Sequence, residues 1–71
     1  MKKLTPLQRN ILEFIRGYFD GGERPPTVRE IQTGLGIKHI STVQRVLKAL
    51  EKKRYLKRRK GTARNIVLAE R

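Results

Sequence analysis

A mainly α fold closed by a small β-hairpin is predicted by three features of this 71-residue chain. Apolar residues recur at three- and four-residue steps in three separate stretches, the spacing of helix faces packed on a core. Each stretch opens on a Ser or Thr followed three residues later by Gln or Glu, the pattern of a capping box. After residue 54 the period shortens to that of strands, with a charged, Gly-containing turn between two β-prone segments.

The first helix is expected over 5–20. Thr5 suits the N-cap, Pro6 the first helical position, and Gln8 completes the capping box. Leu7, Ile11, Phe14, Ile15 and Tyr18 share one face, with Leu12 and Phe19 at its edge, while Arg9, Asn10, Glu13 and Arg16 face away. A stripe of this kind is core. Gly21 and Gly22 end the helix. Pro25 and Pro26 then hold the connection extended. A shorter second helix, over 27–34, is capped by Thr27 with Glu30 and buries Val28, Ile31 and Leu35. Gly34 and Gly36 bracket its end, and Gly36 is placed for the left-handed conformation of a tight turn.

The third helix is expected over 41–53, with Ser41 as cap and Gln44 as its capping-box partner. Val43, Val46, Leu47 and Leu50 form its core face, and Ser41, Arg45, Lys48 and Lys52 lie opposite. A hairpin over 55–68 follows. Leu56, Ile66 and Leu68 supply its core side, and Arg58, Arg59, Lys60 and Arg64 its tip. With no repeats and no low-complexity tract, residues 1–71 read as one domain.

Net charge is +12, from 18 basic and 6 acidic residues. Between Lys38 and Arg64 there are eleven basic residues and a single acidic one, Glu51. A folded domain with its charge gathered in one half points to a polyanionic partner. A disordered basic tail would not keep the apolar periodicity that persists through this region. The chain has no cysteine, so neither a disulfide nor a thiolate metal site is possible, and His39 is the lone histidine. No metal ligand, cofactor or catalytic residue is assigned. His39 stands near Ser41, but nothing orients it, and no nucleophile–base set exists elsewhere. No apolar run approaches a membrane span and no signal-peptide pattern opens the chain, so the expected location is the cytosol.

Two helices joined by a short Gly-containing turn, the second basic on its outer face, make a helix-turn-helix; the basic hairpin makes it a winged one. In that arrangement base edges are read from the N-terminal part of a helix lying in the major groove. Here those residues are Ser41, Thr42, Gln44 and Arg45. Gln pairs bidentately with adenine and Arg with guanine, and a Thr methyl can touch a thymine methyl. Gln44 has two competing uses, closing the capping box or reading a base. Lys38, His39, Lys48, Lys52 and Lys53 are expected on phosphates, as is Arg29 with help from a helix N-terminus. The wing residues Arg58, Arg59, Lys60 and Arg64 would follow the backbone or enter a narrow minor groove. Double-stranded DNA is thus the expected partner. The alternative is a stand-alone winged-helix module binding RNA or an acidic protein. Single-stranded RNA recognition usually uses exposed aromatics, and Tyr55 is the one aromatic near the basic region.

These residues resemble the N-terminal DNA-binding domain of the LexA family, the repressors of the bacterial SOS response. The resemblance covers nearly the whole chain. It rests on Leu4-Thr5-Pro6-Leu7-Gln8, on Ile11, Leu12, Phe14 and Ile15, and above all on the run from Pro25 and Pro26 through Thr27-Val28-Arg29-Glu30-Ile31. Leu35-Gly36, Ser41-Thr42-Val43, Leu47, Leu50-Glu51, Lys53 and Arg64-Asn65-Ile66 continue it. It implies a cytoplasmic, nucleoid-associated bacterial repressor bound to a palindromic operator, one half-site per domain. In the family a second domain carries dimerisation and a Ser/Lys self-cleaving peptidase. Because the three-helix core and the hairpin account for most of its apolar residues, this chain is expected to be a monomer in isolation that dimerises only on DNA or through such a domain. Two residues depart from the pattern. Arg54 stands where the family usually has Gly, and Arg45 occupies a variable base-reading position. The sequence ends at Arg71, short of any peptidase residue, so no enzymatic activity is expected of it.

Overall fold

A computed structural model describes residues 3–21, 24–59, 61 and 66–68. Three helices, α1 (Pro6–Asp20), α2 (Val28–Leu35) and α3 (Ile40–Lys52), are followed by strands β1 (Leu56–Arg58) and β2 (Ile66–Leu68). The strands pair antiparallel, with Leu56 opposite Leu68, Lys57 opposite Val67 and Arg58 opposite Ile66. This is the three-helix, hairpin-closed architecture of a winged helix-turn-helix.

The first two helices start where their side chains direct. Thr5 accepts a hydrogen bond from the Gln8 backbone N–H at 3.2 Å, and the Thr5 N–H donates to the Gln8 Oε1 at 3.1 Å. The same reciprocal pair joins Thr27 and Glu30 at 3.1 and 2.9 Å. Each box satisfies two backbone donors that a helix start would otherwise leave unpaired. Pro6 takes the first-turn position that costs no hydrogen bond. α1 ends at Gly21, while the Gly22 half of that expectation lies outside the described residues. Pro26 is fully buried, so the extended proline segment is also part of the core.

α3 departs from the expected start. It begins at Ile40, with His39 as an extended N-cap whose side chain makes no capping bond. Ser41 and Gln44 are therefore already inside the helix, and the expected capping box does not form. The cause is the brevity of the turn. α2 closes on Gly36 at φ 66°, the left-handed conformation expected of it. The Gly36 N–H donates to the Thr33 carbonyl and the Ile37 N–H to the Gln32 carbonyl, a Schellman closure. Gln32 Nε2 then ties the Lys38 carbonyl at 3.3 Å. Only His39 remains between that tie and Ile40, the first helical residue, so Ser41 lies inside the helix and not at its cap.

Val43, Leu47 and Leu50 of α3 are completely buried and Val46 nearly so; they meet Ile11, Leu12, Ile15, Ile31, Leu56 and Ile66 in one cluster. α3 is the central element, packing on α1, α2 and β1. The expected face of α1 is rotated. Leu12 is buried rather than at the edge, and Leu7 is 36% exposed. The true stripe runs through Ile11, Leu12, Ile15 and Phe19, and its first-turn position is Gln8, a polar residue that hides the register. Phe14 and Tyr18 sit half-buried at the other edge, rings 5.4 Å apart. Phe14 covers Gly34, where any Cβ would lie 2.5 Å from the ring.

The end of α3 repeats the closure of α2 with a less suitable residue. The Arg54 N–H donates to the Glu51 carbonyl and the Tyr55 N–H to the Leu50 carbonyl, again a Schellman pattern, and Arg54 takes φ 69°. A Cβ in this conformation costs about 1–2 kcal/mol, whereas Gly adds about 0.5–1 kcal/mol of chain entropy to be lost on folding. Arg54→Gly is therefore expected to stabilise the fold by about 0.5–1 kcal/mol. Thermal unfolding checks it: the midpoint should rise by a few degrees, and a fall would show that the Arg54 side chain more than offsets its backbone strain.

Candidate nucleic-acid interface

Packing α3 through Val43, Val46, Leu47 and Leu50 forces the residues between them outward. Ser41, Gln44, Arg45, Lys48 and Lys52 are exposed on its outer face, and Thr42 is half-buried. Of the four expected base readers, three thus stand fully on the surface near the helix start. Gln44 has lost its competing role, because the cap it would have served is absent. The His39 side chain makes no capping bond to α3, so the positive end of the helix dipole is presented to whatever docks there.

Lys38 and His39 are exposed in the turn before α3, and Arg29 is exposed in the first turn of α2. Lys53 is placed elsewhere. Its ammonium donates to the Lys3 carbonyl at 2.7 Å and to Gln8 Oε1 at 2.9 Å, tying the end of α3 to the start of α1. Position along the helix suggested a phosphate contact, but the half-buried side chain is committed inward. Gln8 thus serves both the α1 cap and this long-range link.

Strand register turns one side of the wing toward α3. Leu56 and Arg58 lie on the same face of β1, two residues apart, and that face also carries Ile66 and Leu68. Arg58 is accordingly half-buried and directed toward α3, not at the wing tip. With Gln44, Arg45, Lys48 and Glu51 it lines an open concavity between α3 and β1. Arg59, the residue after β1, is exposed. Lys60 and Arg64 lie outside the described residues. Lys57 was not assigned a role from the sequence, yet it is exposed on the outer face of β1 opposite Val67. Strand alternation relative to Leu56 was the signal that could have separated it from Arg58.

Chemically, this surface offers forked guanidinium and amide donors at one end of a helix, with ammonium groups behind them. Such a set matches base edges in front and phosphates behind. The family model for the LexA DNA binding domain matches residues 1–65. The chain belongs to this family. The LexA repressor of Geotalea uraniireducens is 44% identical over 68 residues, 96% of this chain and 34% of that protein. LexA repressor 1 of Geobacter sulfurreducens is 41% identical over 71 residues, all of this chain and 35% of its own length. The LexA repressor of Frankia alni is 47% identical over 55 residues, 78% of this chain and 22% of its own length. The chain therefore spans about a third of the length of the first two LexA relatives. Among the described residues no helix is long and apolar enough to cross a membrane.

Proposed function

We propose that this chain is a sequence-specific, non-catalytic DNA-binding unit of a LexA-type repressor, acting on double-stranded DNA in the bacterial cytoplasm and nucleoid. One observation carries the reading: Gln44 and Arg45 stand exposed at the start of the central helix, while Lys48 and the wing residue Arg58 flank them around one concavity. α3 enters the major groove with Ser41, Thr42, Gln44 and Arg45 toward the bases. Arg29, Lys38, His39, Lys48 and Lys52 hold phosphates on either side, and Arg59, with Lys60 and Arg64 in the wing, follows the backbone or the minor groove. Each unit covers one half-site of a palindromic operator. The genes controlled are those of the SOS response, the role that the family resemblance implies.

Selection of duplexes from a random pool tests the reading. A defined half-site should emerge, and its affinity should fall steeply with salt. Tighter binding to duplex RNA or to an acidic protein than to any DNA would replace it with the alternative. The division of labour is testable residue by residue. Arg45→Ala should change which base pair is preferred at one position by about 1–3 kcal/mol. Arg59→Ala should weaken all duplexes alike and lower the salt slope by about one unit. Equal losses on every sequence for Arg45→Ala would remove Arg45 from the base-reading set.

A further inference from the structure

Glu51 is the one acidic residue between Lys38 and Arg64, and it does not sit apart from the cations. It lines the concavity between α3 and β1 together with Gln44, Arg45, Lys48 and Arg58. Lys48 and Glu51 are one helical turn apart on α3, and Arg58 reaches the same space from the neighbouring strand. If α3 lies in a major groove and the wing in the next minor groove, the phosphodiester strand dividing those grooves must pass across the space between them. That space is this concavity. A carboxylate there is unfavourable to any phosphate and favourable to the cations beside it. A surface evolved only for affinity would put a neutral or basic residue at this place.

We propose that Glu51 is a specificity-determining residue of the DNA interface, acting as a positioning group on Lys48 and Arg58. Its carboxylate shares one open concavity with the two cations and attracts them across it in the unbound protein, and it repels a backbone that lies on the surface without being seated. On a matched duplex, α3 and the wing engage together and bring the backbone within reach of both cations. On an unmatched duplex the cations stay biased toward Glu51, and non-specific attraction is reduced. Discrimination thus gains from a repulsive element and not from base contacts alone.

This inference rests on the DNA-binding reading, and the test separates the two. Binding of the chain and of Glu51→Gln is measured on the selected half-site and on a random duplex, across a salt series, with thermal unfolding as a check on the fold. Glu51 is exposed, so the melting curve should hold. Glu51→Gln should tighten the random duplex about two- to fivefold, the scale of one exposed ion pair, and steepen its salt slope by up to about one unit. The matched half-site should gain less, so the specificity ratio falls. In an Arg58→Gln background the effect of Glu51→Gln should shrink, since one of its two partners is gone. Equal tightening of both duplexes, or no change on either, would overturn the role of Glu51 while leaving DNA binding intact. Failure of the unmodified chain to prefer any duplex would instead overturn the DNA-binding reading.

Discussion

Leu47→Ala is expected to cost about 2–5 kcal/mol of folding stability, the range for deleting a fully buried leucine side chain. The position has no exposed surface. It lies on the core face of α3, the element that packs against α1, α2 and β1, so a cavity there loosens the packing of all of them. A chain of 71 residues has little to lose. At about 0.05–0.15 kcal/mol per residue, its total stability is on the order of 4–10 kcal/mol. The variant should therefore be largely unfolded at the urea concentration where the parent is half-unfolded, and populate unfolded chains even without denaturant. DNA binding should fall with it, since the same helix that fills the core displays Gln44 and Arg45. An unchanged midpoint would mean that the surrounding side chains collapse into the space left by Leu47.

The core of α3 was legible because four apolar residues repeat at helical spacing with nothing to dilute them, and all four are buried. The left-handed Gly36 and the two Thr-led capping boxes were legible for a similar reason, since each is a local motif whose partners lie within a few residues. What sequence reasoning missed depends on contacts between distant residues. Ser41 and Gln44 satisfy the capping-box pattern, but the closure of α2 on Gly36 leaves too short a turn for the box to operate. The face of α1 was displaced because Gln8, in the first-turn slot of the stripe, is needed for the cap and for Lys53. Lys53 itself shows the limit most plainly. Its partners are 45 and 50 residues away along the chain, and no periodicity within α3 announces them. At the interface, helical spacing named the outward residues of α3, whereas the inward turn of Arg58 follows from strand register, which a three-residue strand declares only weakly.

Joining two copies should have a far larger effect on binding than any single interface residue. One recognition helix and one wing cover one half-site, and most of the large apolar side chains of α3, β1 and β2 are already in the core or packed on it. The chain is therefore expected to sediment as a monomer and to bind a single half-site weakly, with a steep salt dependence. Fusing an unrelated dimerisation module after Arg71 makes the second half-site contact intramolecular. On a palindrome with half-sites about one helical turn apart, that should tighten binding by about 100- to 10,000-fold without any new protein–DNA contact. The gain should disappear when half a turn of DNA is inserted between the half-sites, because the second unit then faces the wrong side of the duplex. It should also fall when the linker is too short to span both sites. Titrations of the fused and unfused chains on one half-site and on both palindromes decide it. Nanomolar binding of the unfused chain to one half-site in physiological salt would overturn the division into weak units made strong by pairing, and so would a fusion that gains nothing on the properly spaced palindrome.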